Sequence, residues 1–123
     1  IVSIFQLIIW NARGIVARVK SDFLAMEIKK NKVCVAAILE HKQNLNKISD
    51  VSHNLEMHAW LHEEPDNQHI WVFWNKNVSV ILVKDGGQLI MVKVNTGEDI
   101  LFMTFVYGSC DSQRREILWQ NLD

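Results

Sequence analysis

The chain has 123 residues, of which 49% are hydrophobic and 22% charged, and its formal net charge is -1 at pH 7. This length suits one domain, and the balance of apolar and charged residues excludes a wholly disordered chain. A net charge near zero excludes a general attraction to polyanions, so any binding of nucleic acid has to be local or metal-dependent. The two cysteines exclude a disulfide-rich scaffold and a Cys₄ zinc site.

The apolar N-terminus lacks the features of a signal peptide. Residues 1–10 contain no basic residue, and no small-residue cleavage site follows them. No apolar run approaches the roughly 18 residues that a membrane span needs. The first residue is Ile, so we expect the chain to be part of a longer product. These features favour an intracellular location, nuclear or cytoplasmic, over secretion, and they predict no membrane partner.

The first forty residues predict a strand, a helix and a second strand. Residues 2–10 and 33–39 form nearly continuous apolar runs, which is typical of strands covered on both faces. Between them, residues 16–30 change to a helical period. The predicted apolar face of this helix carries Val16, Val19, Phe23 and Met26. A βαβ unit of this kind places its two strands parallel and side by side.

The rest of the chain predicts a short helix, a strand, an antiparallel meander and a final helix. The short helix falls within residues 43–54 and the strand near residues 57–61. The four strands of the meander are predicted at residues 70–74, 78–83, 89–94 and 100–107, separated by turn residues. Residues 112–122 predict the final helix. The fold class is therefore α/β (α+β), with a parallel start and an antiparallel continuation.

Polar side chains follow three of the predicted strands. Asn11 and Glu40 come directly after the two parallel strands, so both lie at the carboxyl edge where α/β proteins place ligand sites. A carboxylate there can bind Mg²⁺, and an amide can orient a phosphate oxygen. Tyr107, the only tyrosine, ends the last strand and can donate a hydrogen bond. A solvated Glu40 and a turn-forming Asn11 explain the same pattern, and the spacing does not decide between these interpretations.

Five short blocks occur in order along the chain: WNARG at 10–14, ILEHK at 38–42, IWVFW at 70–74, TFVYGS at 104–109 and RREILW at 114–119. Together they resemble the N-terminal half of an endonuclease/exonuclease/phosphatase domain, which is DNase I-like, of the plant LINE-type (non-LTR) retrotransposon kind. The resemblance implies that residues 1–123 form one partial domain. It is expected to be the first half of a four-layer α/β/β/α sandwich, mostly one mixed sheet with flanking helices.

The resemblance also implies an activity and a set of site residues. Members of the family hydrolyse DNA phosphodiesters with Mg²⁺ or Mn²⁺ as cofactor. By resemblance, Asn11 is the active-site asparagine, Glu40 the metal-binding glutamate and Tyr107 the phosphate-site tyrosine. Arg13, beside Asn11 in a small basic cluster, is a candidate contact for DNA phosphate, although a solvated face explains it equally well.

Several departures from the family pattern limit this expectation. His41 stands where the family usually has Thr, and Gln68 and His69 replace a Gly before the Ile-Trp strand. The later Gly-Asp-Phe-Asn and Ser-Asp-His blocks have no match in this sequence, so half of the catalytic set is missing. We therefore expect little turnover of DNA by this chain alone. The alternative is a non-catalytic remnant that acts as an interaction or structural module.

Half of a two-sheet sandwich is also expected to expose an apolar sheet face. In a two-sheet sandwich each sheet buries one face against the other. With strands for about one sheet, the chain is expected to leave an inner apolar face uncovered, which favours self-association or poor solubility.

Two further patterns favour structural roles. His58 and His62 are four residues apart, as zinc ligands on a helix can be, but the His-Glu-x-x-His motif is not met because residue 59 is Ala. Trp71 and Trp74 can in principle stack on bases. Aromatic residues inside an apolar strand more commonly belong to a core.

Overall fold

Seven strands and two α-helices make up the described part of the chain, which covers residues 6–11, 18–64, 69–86 and 88–107 of a computed structural model. In chain order they are β1 (Leu7–Asn11), α1 (Arg18–Asn31), β2 (Val35–Leu39), a 3₁₀ turn (Leu45–Lys47), α2 (Ile48–Asn54), β3 (Ala59–His62), β4 (Ile70–Trp74), β5 (Ser79–Asp85), β6 (Leu89–Asn95) and β7 (Ile100–Val106). Within these ranges, no helix combines the length and apolarity needed to cross a membrane. Arg13 and the helix predicted at 112–122 lie outside the described residues.

The first sheet is mixed and has the strand order β1-β2-β4-β3. β1 and β2 are parallel, with Leu7 opposite Val35 and Asn11 opposite Leu39, which confirms the predicted βαβ unit. β4 runs antiparallel to both of its neighbours, β2 and β3. The carboxyl ends of β1 and β2 therefore lie at the same edge as the start of β4.

The second sheet is an antiparallel meander of β5, β6 and β7. The prediction that the meander begins at residue 70 is wrong, because β4 belongs to the first sheet. Four of the five residues of β4 are buried, since both of its edges pair with strands and both of its faces are covered. Residues 75–78 after β4 thus carry the chain from one sheet to the other instead of closing a hairpin.

The two sheets bury their inner faces against each other. The first sheet contributes side chains such as Val35, Ala37 and Val72 to this core, and the second contributes Ile90 and Val92 among others. The predicted fold class is confirmed, with four of the seven described strands in one mixed sheet. The second sheet covers part of this inner face, whereas Ile9 of β1, on the same face as Leu7, is 57% exposed, so the expectation of an uncovered inner face stays a prediction for this edge.

The outer face of the first sheet is covered by α1 and α2. Leu24 and Ile28 of α1 are buried against this face, whereas Phe23 and Met26 are 56% and 67% exposed. The predicted apolar face of α1 is therefore wrong at both exposed positions. α1 carries two apolar stripes, and the stripe of Leu24 and Ile28 packs inward; on that side Ser21 accepts a hydrogen bond from the Asn54 side chain of α2.

His41 and Trp71 form a fully buried ring stack in the core between the helices and the first sheet. Both side chains have no exposed surface, and their ring centroids are 3.9 Å apart. The backbone N–H of Gln43 donates a hydrogen bond to His41 Nδ1 at 3.1 Å. Trp71 is therefore a core residue and not a platform for bases, and His41 fills the volume beside it.

Replacing His41 by Thr, the residue usual in the resembled family, is expected to destabilise the fold by about 2–3 kcal/mol. The change removes a ring stack worth about 0.5–1.5 kcal/mol. It also leaves the Gln43 N–H without its buried acceptor, at a cost of about 1–3 kcal/mol. Urea unfolding followed by tryptophan fluorescence measures the difference. The exposed His58→Thr substitution is the matched control and should leave the midpoint nearly unchanged; an unchanged midpoint for His41→Thr would contradict the stack's role.

Candidate active site

Two parallel strands place Asn11 and Glu40 side by side at one edge of the first sheet. Asn11 is the last residue of β1 and pairs with Leu39, the last residue of β2. Glu40 follows Leu39 directly. Because side chains alternate along a strand, Asn11 lies on the same face of β1 as Leu7, which packs into the core between the sheets. The amide of Asn11 thus belongs to the side of the first sheet that faces the second.

Residue 69 connects this edge to the second sheet. The backbone N–H of Glu40 donates a hydrogen bond to the His69 carbonyl. The His69 ring stacks on the ring of Tyr107, with centroids 4.2 Å apart and planes 21° from parallel. Tyr107 follows β7 and packs against the core between the sheets. The structure thus brings Asn11, Glu40 and Tyr107 to one rim of the sandwich, with His69 between the last two.

Glu40 has a backbone conformation that is uncommon for any residue except glycine. Its φ is +56°, in the left-handed region, and Lys42 has the same value. A side chain in this region costs free energy on the order of 1–2 kcal/mol. The turn buries the His41 side chain and leaves the Glu40 side chain 22% exposed, with Lys42 Nζ 3.4 Å from Oε1. Backbone strain of this kind is concentrated at functional sites.

Glu63 is a buried carboxylate at this rim that sequence reasoning did not find. Its side chain has no exposed surface. Its Oε2 accepts hydrogen bonds from the backbone N–H groups of His69 and Ile70, at 3.0 and 2.8 Å. The only available signal was its place after an apolar strand, the same signal that singled out Glu40. The adjacent Glu64 follows the same strand but is exposed, so this signal does not show which of the two glutamates is buried.

The donor groups at the rim suit a weakly held magnesium ion. Among the described residues, no three or more His, Cys, Asp or Glu side chains are grouped so that they could hold a metal. Mg²⁺, however, is commonly bound by one or two carboxylates and completed by waters and substrate phosphate. The partly exposed carboxylate of Glu40, beside the exposed Asn11, fits that pattern. The residues present are thus compatible with an open site and not with a closed protein cage.

The histidine pair does not make a zinc site. His58 precedes β3 and His62 ends it, so four residues of nearly extended chain separate them. At about 3.3 Å per residue this corresponds to about 13 Å along the strand, too far for a shared ion.

A groove of about 450 Å³ opens at the other end of the first sheet. It is lined by residues around the end of α1 and the end of β4, including Lys29, Lys32 and Asn75. None of the three candidate site residues lines it. This groove is therefore separate from the candidate site.

The sequence matches no protein-family profile and no curated protein. Among solved structures, it is similar in fold to the endonuclease domain of TRAS1, a telomere-specific non-LTR retrotransposon, with a TM-score of 0.65 at 12% sequence identity. The match covers 97% of this chain and 51% of that chain, so this chain spans about half the length of its structural neighbour. At this identity the likeness concerns the fold alone. The chain therefore has the DNase I-like fold of a retrotransposon endonuclease domain, over about half of that domain's length.

Proposed function

We propose that residues 1–123 are the N-terminal half of a metal-dependent DNA endonuclease domain of LINE-type retrotransposon origin, of the plant kind by sequence resemblance. In this proposal Glu40 is the Mg²⁺ ligand, and Asn11 and Tyr107 bind the phosphate. The observation that carries the proposal is the rim geometry. Asn11, Glu40 and Tyr107 end or follow strands of two different sheets at one edge, where Asn11 pairs with Leu39 and His69 contacts both Glu40 and Tyr107, in a fold similar to that of an endonuclease domain.

Each residue of the rim has a distinct chemical task in this proposal. When bound, Mg²⁺ or Mn²⁺ supplies positive charge that offsets the negative charge growing on the phosphate oxygens. The Glu40 carboxylate holds the ion, and the amide of Asn11 and the hydroxyl of Tyr107 donate hydrogen bonds to phosphate oxygens without adding charge. The His69 ring, stacked on Tyr107, restricts the motion of the phenol.

The same residues do not supply a general base. The sequence contains neither Asp-Phe-Asn nor an Asp-His pair, the blocks that provide the remaining catalytic groups in the resembled family. We therefore expect this chain to bind a divalent ion and DNA phosphate but to hydrolyse DNA negligibly by itself. Arg13 is proposed as a further phosphate contact from its place in the sequence.

Metal binding at Glu40 can be tested without turnover, because Tyr107 is the only tyrosine. In protein labelled with 3-fluorotyrosine, a single ¹⁹F resonance reports on this residue. We expect millimolar Mn²⁺, a paramagnetic substitute for Mg²⁺, to broaden this resonance in the wild type and much less in Glu40→Gln. Glu98→Gln, an exposed change beyond the far end of β7, is the matched control and should behave like the wild type. Equal broadening in Glu40→Gln and wild type would contradict the proposed ligand.

Nicking of supercoiled plasmid in Mg²⁺ tests the catalytic part of the proposal. We expect negligible nicking by both the wild type and Glu40→Gln. Metal-dependent nicking by the wild type that Glu40→Gln abolishes would show that the chain already has a complete catalytic set, against our expectation.

The strained backbone at Glu40 predicts that glycine at this position gives a more stable protein than alanine, although neither residue can hold the metal ion. Glu40→Gly should be more stable than Glu40→Ala by about 1 kcal/mol, because only glycine adopts this conformation without a steric cost. Both variants should lose the Mn²⁺ effect on Tyr107. Urea unfolding measures the stability difference. Glu56→Gly and Glu56→Ala are the control pair, since Glu56 has the same φ but lies away from the rim, and neither should alter the Mn²⁺ effect. Greater stability of Glu40→Ala would refute the argument from strain.

One surface favours the alternative function, a non-catalytic interaction module. On the outer face of the second sheet, the paired positions of β5, β6 and β7 expose Ile81 and Phe102, the latter at 66%, with Ile100 beside them. Lys93 of β6 lies between Ile81 and Phe102, and the exposed apolar side chains on either side of it favour self-association through the outer face.

We expect Phe102→Thr to weaken that self-association. The substitution removes the most exposed aromatic ring of the patch and keeps a side chain that suits a strand. Sedimentation velocity over a range of concentrations measures the change. Met26→Gln removes a similarly exposed apolar side chain from α1, outside the patch, and should have no effect. A wild-type chain that remains monomeric at all concentrations would rule out self-association through the outer face.

A further inference from the structure

Burial of the Glu63 carboxylate costs free energy. The stability of the fold alone does not explain why a carboxylate occupies this position. Removing a charged group from water is unfavourable unless hydrogen bonds compensate, and apolar residues commonly replace buried charges without loss of stability. Glu63 receives its compensation from two consecutive backbone N–H groups, those of His69 and Ile70, both donating to Oε2. Its carboxylate thus fixes the point at which the chain enters β4.

That point of entry contacts two of the three candidate site residues, Glu40 and Tyr107. The carbonyl of His69 accepts the backbone N–H of Glu40, which belongs to the first sheet. The ring of His69 stacks on Tyr107, which follows the second sheet. Glu63 Oε2 also lies 3.9 Å from His69 Nδ1, so the carboxylate is close to the ring as well as to the backbone of residue 69. His69, whose backbone N–H donates to the buried carboxylate of Glu63, thus connects Glu40 of the first sheet with Tyr107 of the second.

We propose that Glu63 and His69 are positioning residues for this rim. Glu63 fixes the backbone of residue 69, the carbonyl of residue 69 fixes Glu40, and the ring of His69 fixes Tyr107. The proposal rests on the proposed function for the tasks of Glu40 and Tyr107. It predicts two separable effects, because the ring of His69 acts on Tyr107 alone, whereas the carboxylate of Glu63 acts on both sides of the rim.

The ¹⁹F resonance of labelled Tyr107 and the dissociation constant for Mn²⁺ measure the two effects. His69→Ala removes the ring and keeps the backbone hydrogen bonds. We expect it to move the Tyr107 resonance and to leave the Mn²⁺ dissociation constant within about twofold of the wild-type value. His69→Phe retains a ring that can stack on Tyr107 and should restore the resonance towards the wild-type position. His58→Ala, an exposed histidine outside the rim, should change neither quantity.

Glu63→Gln keeps an oxygen acceptor but removes the charge. We expect it to move the Tyr107 resonance and to weaken Mn²⁺ binding by about tenfold, as loss of a residue that orients a metal ligand commonly does. Urea unfolding shows whether the variant is folded at the temperature of the titration. If it is not, the His69 variants decide the proposal through the Tyr107 resonance.

Two results would overturn the proposal. One is a Tyr107 resonance that His69→Ala leaves unchanged, and the other is a folded Glu63→Gln protein with wild-type Mn²⁺ affinity and an unchanged resonance. Failure of the proposed function has a different signature. In that case the wild type does not bind Mn²⁺ near Tyr107, while the resonance still responds to the His69 and Glu63 substitutions.

Discussion

The rim depends on the burial of two sheet inner faces against each other. Tyr107 follows a strand of the second sheet and Glu40 a strand of the first, so only the packing of the sheets brings them together. That packing is made by small and branched side chains such as Ala37, Val72 and Val92, which have no exposed surface. Burial of apolar surface supplies the driving force. The polar contacts through His69 then fix the relative position of the two edges.

Much of the fold follows from the sequence, and the failures have physical causes. Apolar runs and the change of period between them predict the βαβ unit, because burial on both faces and helical spacing leave different patterns. They do not predict that β4 joins the first sheet, since an apolar run records that a strand is buried and not which strand pairs with it. The face of α1 was missed for a related reason. Phe23 and Leu24 are both apolar, and the sequence does not show which of them packs against the sheet.

Some residues of the candidate site can likewise be predicted from the sequence, and others cannot. Residues that end strands can be found from the sequence, because strand ends and strand direction together define an edge. Glu63 and His69 could not be found, because their contacts join residues that are distant in the sequence or separated by a loop. Two departures from the pattern of the resembled family nevertheless fall at histidines that make specific contacts. His69 stacks on Tyr107, and His41 stacks on Trp71, so each unusual histidine has a ring partner in the structure.

The left-handed backbone at residue 40 also bears on how such a sequence changes over generations. Selection for folding alone would favour Gly or Asn there, since both tolerate this conformation better than Glu. In a sequence selected for folding alone, replacement of Glu40 by one of these residues is therefore expected to raise stability and to be retained. Under the proposed role of Glu40 as a metal ligand, a glutamate retained at position 40 against this conformational cost is consequently the mark of a sequence in which the rim still binds metal.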